Sequence, residues 1–203
     1  MKTIGSTIIM LALASSLFAD NGKELKLASP DGTHEIVFYQ KQVSPAVNEL
    51  CYRVDYKSQP VVNESRAGLE LDNRIWEMAL GVRNLKQPAC WMDNLEVDSV
   101  TYQLETNLTW QPLYGERSSV RDHYRAGTLC LSKKDNSGYR LNIEVRAYNE
   151  GVAFRYFFPE HPKAIFHKVV GDLTEYALPA GTKAWTEQWA QAFFERLNID
   201  DIK

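Results

Sequence analysis

Histidine and carboxylate side chains are the groups in this sequence that are best suited to proton transfer. The 26 acidic residues are too many for any one of them to be singled out by number alone. Four histidines are present: His34, His123, His161 and His167. Only His123 lies in a suggestive run, between Asp122 and Tyr124. A histidine with a carboxylate can act as general acid and base; the alternative is that His123 makes structural hydrogen bonds to its charged neighbours.

The three cysteines match neither a metal site nor a disulfide scaffold. Cys51, Cys90 and Cys130 are separated by roughly forty residues, whereas zinc ligands come in closely spaced pairs. Cys51 and Cys130 lie in apolar runs, where a buried thiol behaves as a small hydrophobic side chain. We therefore expect buried thiols, with a single disulfide left open.

The charge balance limits the classes of partner. The formal net charge is -3, and the sequence contains neither a basic cluster nor an acidic tail. Nucleic-acid binding depends on a concentrated positive surface, so it is not expected. Neutral or weakly charged ligands are the expected partners.

The first nineteen residues predict export. Lys2 precedes an uncharged apolar run over residues 4–17, and Ala19 is followed by Asp20. This is the pattern of a signal peptide over residues 1–19, with the mature protein beginning near Asp20 in the periplasm or outside the cell. The run is shorter than the ~20 apolar residues that span a bilayer, so no membrane span is expected after cleavage.

Alternation of apolar and polar residues predicts an all-β fold. Residues 49–56 and 139–148 alternate over their whole length, as half-buried antiparallel strands do. Turn sequences such as Ser29-Pro30-Asp31-Gly32 separate the strands. Further strands are predicted at residues 35–39, 68–71, 100–105, 128–132, 152–158, 165–170 and 174–178. Nine or so short strands indicate one large two-sheet sandwich over residues 20–203.

The end of the chain has a different pattern. Trp185, Trp189, Ala192, Phe193 and Leu197 recur at helical spacing. This predicts a short amphipathic C-terminal helix whose aromatic face packs on the core.

Three sequence motifs in the second half of the chain resemble a known family. They are residues 110–117 (WQPLYGER), 120–124 (VRDHY) and 140–159 (RLNIEVRAYNEGVAFRYFFP). In this order they are similar to the N-terminal domain of glycoside hydrolase family 97, whose members are exported bacterial enzymes acting on α-linked glucose or galactose. The turn at residues 29–32, the strand at 68–71 and the Ala184-Trp185 pair fit the same domain.

The resemblance implies a galactose-mutarotase-like sandwich that packs against a following (β/α)₈ barrel. In such enzymes the barrel carries the catalytic carboxylates, and the N-terminal domain supplies one glutamate to an active-site calcium ion. Glu195 is the expected counterpart, with Glu187 as its competitor. No cofactor is expected for this chain alone, because one glutamate cannot provide the six to eight oxygen ligands that calcium takes.

The expected function is that of a non-catalytic accessory domain that binds carbohydrate, an α-glucoside or α-galactoside, or braces a catalytic barrel in the same or another chain. No catalytic residue is assigned in this role. The chain is either a truncated product or a free-standing module. The alternative is a stand-alone mutarotase-like epimerase that uses His123 as acid or base. Trp76, Trp91 and Trp110 are candidates for sugar stacking or for the core.

Overall fold

The computed structural model describes residues 22–81, 90–134, 137–163, 166–187 and 189–202. The predicted signal peptide lies outside these residues. The strands, in chain order, are β1 (Leu25–Ala28), β2 (His34–Ser44), β3 (Val47–Tyr56), β4 (Gln59–Arg66), β5 (Leu69–Leu71), β6 (Leu95–Tyr102), β7 (Thr106–Trp110), β8 (Val120–Lys133), β9 (Arg140–Tyr148), β10 (Gly151–Phe157), β11 (Val169–Asp172), β12 (Lys183–Thr186) and β13 (Glu195–Asn198). The described residues add one α-helix, α1 (Arg74–Leu80), and a 3-10 turn at Ile199–Asp201.

Two antiparallel sheets form the body of the domain. The first has the strand order β1-β2-β3-β4, and the second has the order β10-β9-β8-β6. β7 pairs with the first part of β8, and β6 pairs with the remainder. Two smaller ladders, β5–β11 and β12–β13, lie outside these sheets.

The inner faces of the two sheets share one hydrophobic core. On β9, the apolar residues of the predicted alternation are all buried: Leu141, Ile143, Val145 and Ala147. The ring of Phe154 on β10 meets those of Phe38 (5.1 Å) and Tyr52 (5.2 Å), which belong to the other sheet. The predicted all-β two-sheet sandwich is therefore confirmed. All three cysteines are free thiols, with Cys51 and Cys90 buried.

The predicted C-terminal helix is wrong. Trp185 lies in β12 and Leu197 in β13, and the two strands form an antiparallel hairpin. The helical spacing is accidental, because no continuous apolar stripe is buried: Trp189 and Phe193 are exposed in the loop between the strands. The short helix of this region is a 3-10 turn beginning at Ile199.

Other differences concern segments at the sheet edges. The segment predicted as a strand at residues 174–178 is not part of a ladder, although the Glu175 N–H donates to the carbonyl of Arg66 and the Asn63 N–H donates to that of Ala177. The strand predicted at residues 165–170 begins outside the described residues, which resume at residue 166, and β11 begins only at Val169. Helix α1 was not predicted from the sequence. No helix among the described residues is long and apolar enough to cross a membrane.

The turn between β1 and β2 is organised by the carboxylate of Asp31. Its Oδ1 accepts hydrogen bonds from the Ser29 hydroxyl (2.6 Å) and from the N–H (3.0 Å) and hydroxyl (2.8 Å) of Thr33. Gly32 takes a φ of 73°, which its lack of a side chain permits, and its N–H donates to the Ser29 carbonyl. The turn predicted at residues 29–32 is confirmed.

We expect Asp31→Ala to lower the melting temperature at pH 7 by about 2–4 °C, because three donors lose their acceptor. The Ser29 hydroxyl, followed by the Thr33 N–H, lowers the pKa of Asp31 from 3.8 to about 2. Since the folded-state pKa lies below the unfolded one, this contribution is present above about pH 4 and is lost as the pH falls towards about 2.

Thermal unfolding followed by circular dichroism between about pH 2 and 7 provides the measurement for this turn. The melting curves of wild type and Asp31→Ala should converge at the acid end. Asp31→Asn, which keeps one acceptor oxygen and does not titrate, is the control. A gap between wild type and Asp31→Ala that stays constant down to pH 2 would contradict the assignment.

A half-buried polar group, His167, packs within an aromatic cluster. Its ring lies 4.3 Å from that of Phe158 and 5.4 Å from that of Tyr139. The side-chain amide of Asn73 donates to its Nδ1 at 3.1 Å, which requires an unprotonated nitrogen there. Burial, with a smaller effect of His161, lowers the pKa of His167.

Acid should therefore weaken the fold before any carboxylate titrates. The unfolded chain takes up a proton at His167 below about pH 6.5 more readily than the folded chain does, so stability is complete above that pH and falls below it. Urea midpoints at about pH 7 and 5 should fall more for wild type than for His167→Gln, which keeps an acceptor for Asn73. Equal falls would show that His167 is not responsible.

Candidate functional site

The β12–β13 hairpin, together with its loop, carries the predicted calcium ligand and most of the predicted aromatic helix. We call residues 183–198 the aromatic hairpin. Its strands pair in register, with Lys183 opposite Asn198 and Thr186 opposite Glu195. In the loop, Gln191 has a φ of 82°, a left-handed conformation that L-residues seldom take. Strained loop backbone of this kind is often found at functional sites.

The large side chains of the aromatic hairpin face solvent. Trp185 is 70% exposed, Trp189 65%, Phe193 91% and Phe194 69%. Four aromatic side chains within ten residues form an apolar surface of the kind that marks an interaction site. On the opposite side of the ladder, Ala184 and Leu197 are half-buried. The hairpin therefore turns its aromatic side chains outward.

Two carboxylates lie at the loop end of this hairpin. Glu195 begins β13, and Glu187 directly follows its cross-strand neighbour Thr186. Both are exposed, and Oε1 of Glu187 accepts the N–H of Gln191 at 3.0 Å. Among the described residues, no group of three His, Cys, Asp or Glu side chains is arranged to hold a metal ion. The hairpin thus offers one or two calcium ligands and needs the others from elsewhere.

A second exposed apolar surface surrounds the β5–β11 ladder. The Asp72 N–H donates to the Lys168 carbonyl at 2.9 Å, which holds the start of α1 beside the entry to β11. Exposed apolar side chains come from both segments: Ile75 (77%), Met78 (82%), Phe166 (75%) and Val169 (53%).

His123, the predicted acid or base, belongs to a network between β7 and β8. Its Nε2 lies 2.7 Å from Oε1 of Glu105, and the other carboxylate oxygen accepts Arg125 Nε at 3.0 Å. The hydrogen bond to His123, followed by that to Arg125, lowers the pKa of Glu105. Arg125 also donates to the carbonyls of Ser29 and Pro30. These contacts are the structural hydrogen bonds to charged neighbours that were the alternative to an acid or base role.

The remaining predicted residues are dispersed. Residues 115–117 are exposed, and Arg121 donates to Asn107 at 2.9 Å. Trp91 is buried in the core, whereas Trp76 (37%) and Trp110 (53%) are exposed. Glu105 was not predicted as the partner of His123. The two residues meet because Asn107 lies opposite His123 in the β7–β8 ladder, and this register is not visible in the sequence.

Comparison with known proteins assigns the chain to a family. The model of the glycosyl-hydrolase 97 N-terminal family matches residues 27–200, which include both hairpin glutamates. The chain belongs to the glycosyl-hydrolase 97 N-terminal family. The resemblance stated from the sequence motifs is thereby confirmed.

The relatives are much longer enzymes. A retaining alpha-galactosidase of Bacteroides thetaiotaomicron is 26% identical over 178 residues, covering 88% of this chain and 22% of that protein. A glycoside hydrolase family 97 enzyme of Pseudoalteromonas sp. strain K8, solved with panose, has a TM-score of 0.70 at 24% identity and covers 87% of this chain and 25% of its own. A beta-arabinopyranosidase has a TM-score of 0.63 at 17% identity, over 79% of this chain and 22% of its own. The solved structures confirm the fold.

The aromatic hairpin should make the separate 203-residue chain self-associate. We expect light scattering to show dimers or larger species and a hydrophobic dye to bind, because water-exposed aromatic surface is buried on association. Phe193→Ser with Phe194→Ser should reduce both signals severalfold.

The control for the self-association test is Lys183→Ser with Arg196→Ser, which alters the same hairpin without removing apolar area. It should associate as wild type does. A wild-type chain that stays monomeric and binds no dye would contradict the interpretation of this surface.

Proposed function

We propose that this chain is the non-catalytic accessory domain of an exported family 97 glycoside hydrolase, and that the aromatic hairpin packs against its catalytic domain. One observation carries the proposal: a chain that spans about a quarter of its relatives' length leaves Trp185, Trp189, Phe193 and Phe194 65–91% exposed. Apolar surface of that extent is stabilised by burial at an interface.

The chemistry of the described residues supports an accessory role. Glycoside hydrolysis uses two carboxyl groups about 5 to 9.5 Å apart on either side of the scissile bond. The most conspicuous acid–base pair, Glu105 and His123, instead forms a network with Arg125 and the backbone of Ser29. In our proposal the acid and base come from the catalytic domain, and this chain positions the hairpin beside them.

The substrate class follows from the relatives and is part of the proposal. One relative is a retaining alpha-galactosidase, and the Pseudoalteromonas enzyme was solved with panose and with acarbose. We propose an α-glucoside or an α-galactoside as the substrate of the assembled enzyme. The exposed aromatic side chains of the hairpin suit both packing against a protein and stacking on a sugar ring.

Glu195 is the residue that would reach the active site. It is exposed at the loop end of the hairpin, where a carboxylate can join oxygen ligands from another domain. Calcium held there would supply positive charge beside the sugar. Glu187 is less available, because its Oε1 already accepts the N–H of Gln191.

The two glutamates make a matched pair for testing. We expect the coding sequence after Lys203 to continue into a (β/α)₈ barrel, and the longer protein to hydrolyse α-glucosides or α-galactosides. In it, Glu195→Gln should lower kcat/KM and calcium affinity about tenfold or more, since a charged ligand is replaced by a neutral one. Glu187→Gln should change both by less than about twofold.

Two results would overturn the proposal. One is hydrolysis of a p-nitrophenyl α-glycoside by the separate 203-residue chain at the rate of a full enzyme. The other is the absence of a barrel-coding frame, together with no rate increase when a barrel chain from the same genome is added. Titration calorimetry of the separate chain with calcium should show no binding.

A further inference from the structure

The second sheet ends in a strand that has no feature protecting its edge. β10 (Gly151–Phe157) pairs with β9 through seven consecutive residues without a register shift. It contains no proline and no lysine, and the guanidinium of Arg155 is held by Glu144 of β9 at 2.6 Å. An edge strand that is flat, regular and apolar is a template for pairing with another strand.

The other outer strands of the two sheets are protected. β6 is interrupted by a register shift between Val97 and Ser99. β4 contains Pro60, and residues 173–177 lie along its outer edge through hydrogen bonds such as Glu175 N–H to Arg66. β1 has only four residues. Short length, bulges, proline and covering segments are the usual ways in which natural sheets avoid unwanted pairing. As far as the described residues go, β10 has none of these.

The backbone of β10 presents free hydrogen-bonding groups at this edge. Tyr148 and Gly151 close a two-residue turn and therefore form a hydrogen-bonded pair. The residues that alternate from there, Val152, Phe154 and Tyr156, point their N–H and C=O groups away from β9. No pairing of these groups with another strand is present among the described residues.

An apolar cleft of about 560 Å³ opens beside this edge, between β10 and the segment that covers β4. Its lining includes the core residues Ile36 and Tyr52 as well as Phe154 and Tyr156 of β10. Tyr176, 64% exposed, forms part of the lining on the other side. The cleft thus reaches buried core residues at the place where the apolar side chains of a next strand would lie.

We propose that β10 and this cleft receive a further β-strand from the longer glycoside hydrolase, whose backbone pairs with Val152, Phe154 and Tyr156 and whose alternate apolar side chains fill the cleft. This strand-addition site rests on the proposed function, because relatives about four times as long supply the donor polypeptide. Main-chain hydrogen bonds give such additions their affinity, and the side-chain pockets give specificity.

A sugar fits the cleft less well than a strand does. Three hydroxyl groups of the cleft already bond to protein: Tyr52 donates to the Glu175 carbonyl at 2.6 Å, and Tyr156 lies 2.6 Å from the Thr174 hydroxyl. The Thr174 hydroxyl in turn donates to Asp172 at 2.6 Å. A sugar depends on free polar partners for its many hydroxyls, whereas an apolar strand needs only the cleft and the free backbone groups of β10.

Hydrogen exchange of residues 151–157 tests the strand-addition site. The outward amides of Val152, Phe154 and Tyr156 should exchange roughly 100-fold more slowly in the longer enzyme than in the separate chain, while those of β9 are protected in both. Val152→Pro removes one outward N–H without touching the ladder to β9, and Val152→Ala is its matched control. In the longer enzyme, protection of the Phe154 and Tyr156 amides should be lost in the proline variant and retained in the alanine variant.

The outcomes separate this inference from the proposed function. If Phe193 and Phe194 are protected in the longer enzyme but residues 151–157 exchange as in the separate chain, the strand-addition site is wrong and the docking of the aromatic hairpin stands. If neither segment is protected, both fail. Protection that grows with the concentration of the separate chain would indicate a second copy, and protection by maltooligosaccharides would indicate a sugar; either overturns the strand donor. Wild-type exchange decides the question even where the proline variant misfolds.

Discussion

The contact between the inner faces of the two sheets is the interaction on which the rest of the structure depends. Leu141, Ile143 and Val145 of β9 are completely or almost completely buried, and the rings of Phe38 and Phe154 join the sheets across the core. Apolar burial of this kind stabilises by about 25 cal/mol per Å² removed from water. The properties of the Asp31 turn, of the half-buried His167 and of the edge strand β10 depend on where each lies relative to this contact.

The same constraint separates the stable part of the molecule from its interaction surfaces. The apolar residues that face the inter-sheet space are buried within the chain, whereas the aromatic hairpin and the surface around the β5–β11 ladder are exposed and the β10 edge is unpaired among the described residues. At these places apolar side chains or backbone groups remain in water, as with Phe193 at 91% exposure. A fold that buries its core so fully and yet leaves these three places unsatisfied is consistent with a domain that is completed by other parts of a larger protein.

The sequence predicted the strands that show apolar–polar alternation and the turns whose residue types favour one backbone conformation. Residues 140–148 alternate because one face is buried, and Ser29-Pro30-Asp31-Gly32 has the residues that its turn requires. The prediction from periodicity was wrong in the C-terminal tail, where the spacing of Trp185, Trp189 and Phe193 resembles the apolar stripe of a helix. Periodicity reports structure only when one face is buried, and these side chains face outward. The contact between Glu105 and His123 could not be predicted either, because it depends on the register of β7 against β8, which neither residue determines.

Under the proposed function, the position of Glu195 would allow an accessory domain to matter to chemistry without performing it. A hairpin anchored by four cross-strand pairs holds this carboxylate more rigidly than a free loop does. Its charge stays exposed, because burying it within this chain would require a partner that the described hairpin does not provide. Joined to ligands from another domain, the same carboxylate gains partners and loses water only when the two domains meet. Calcium binding and domain docking are then coupled, so that each stabilises the other.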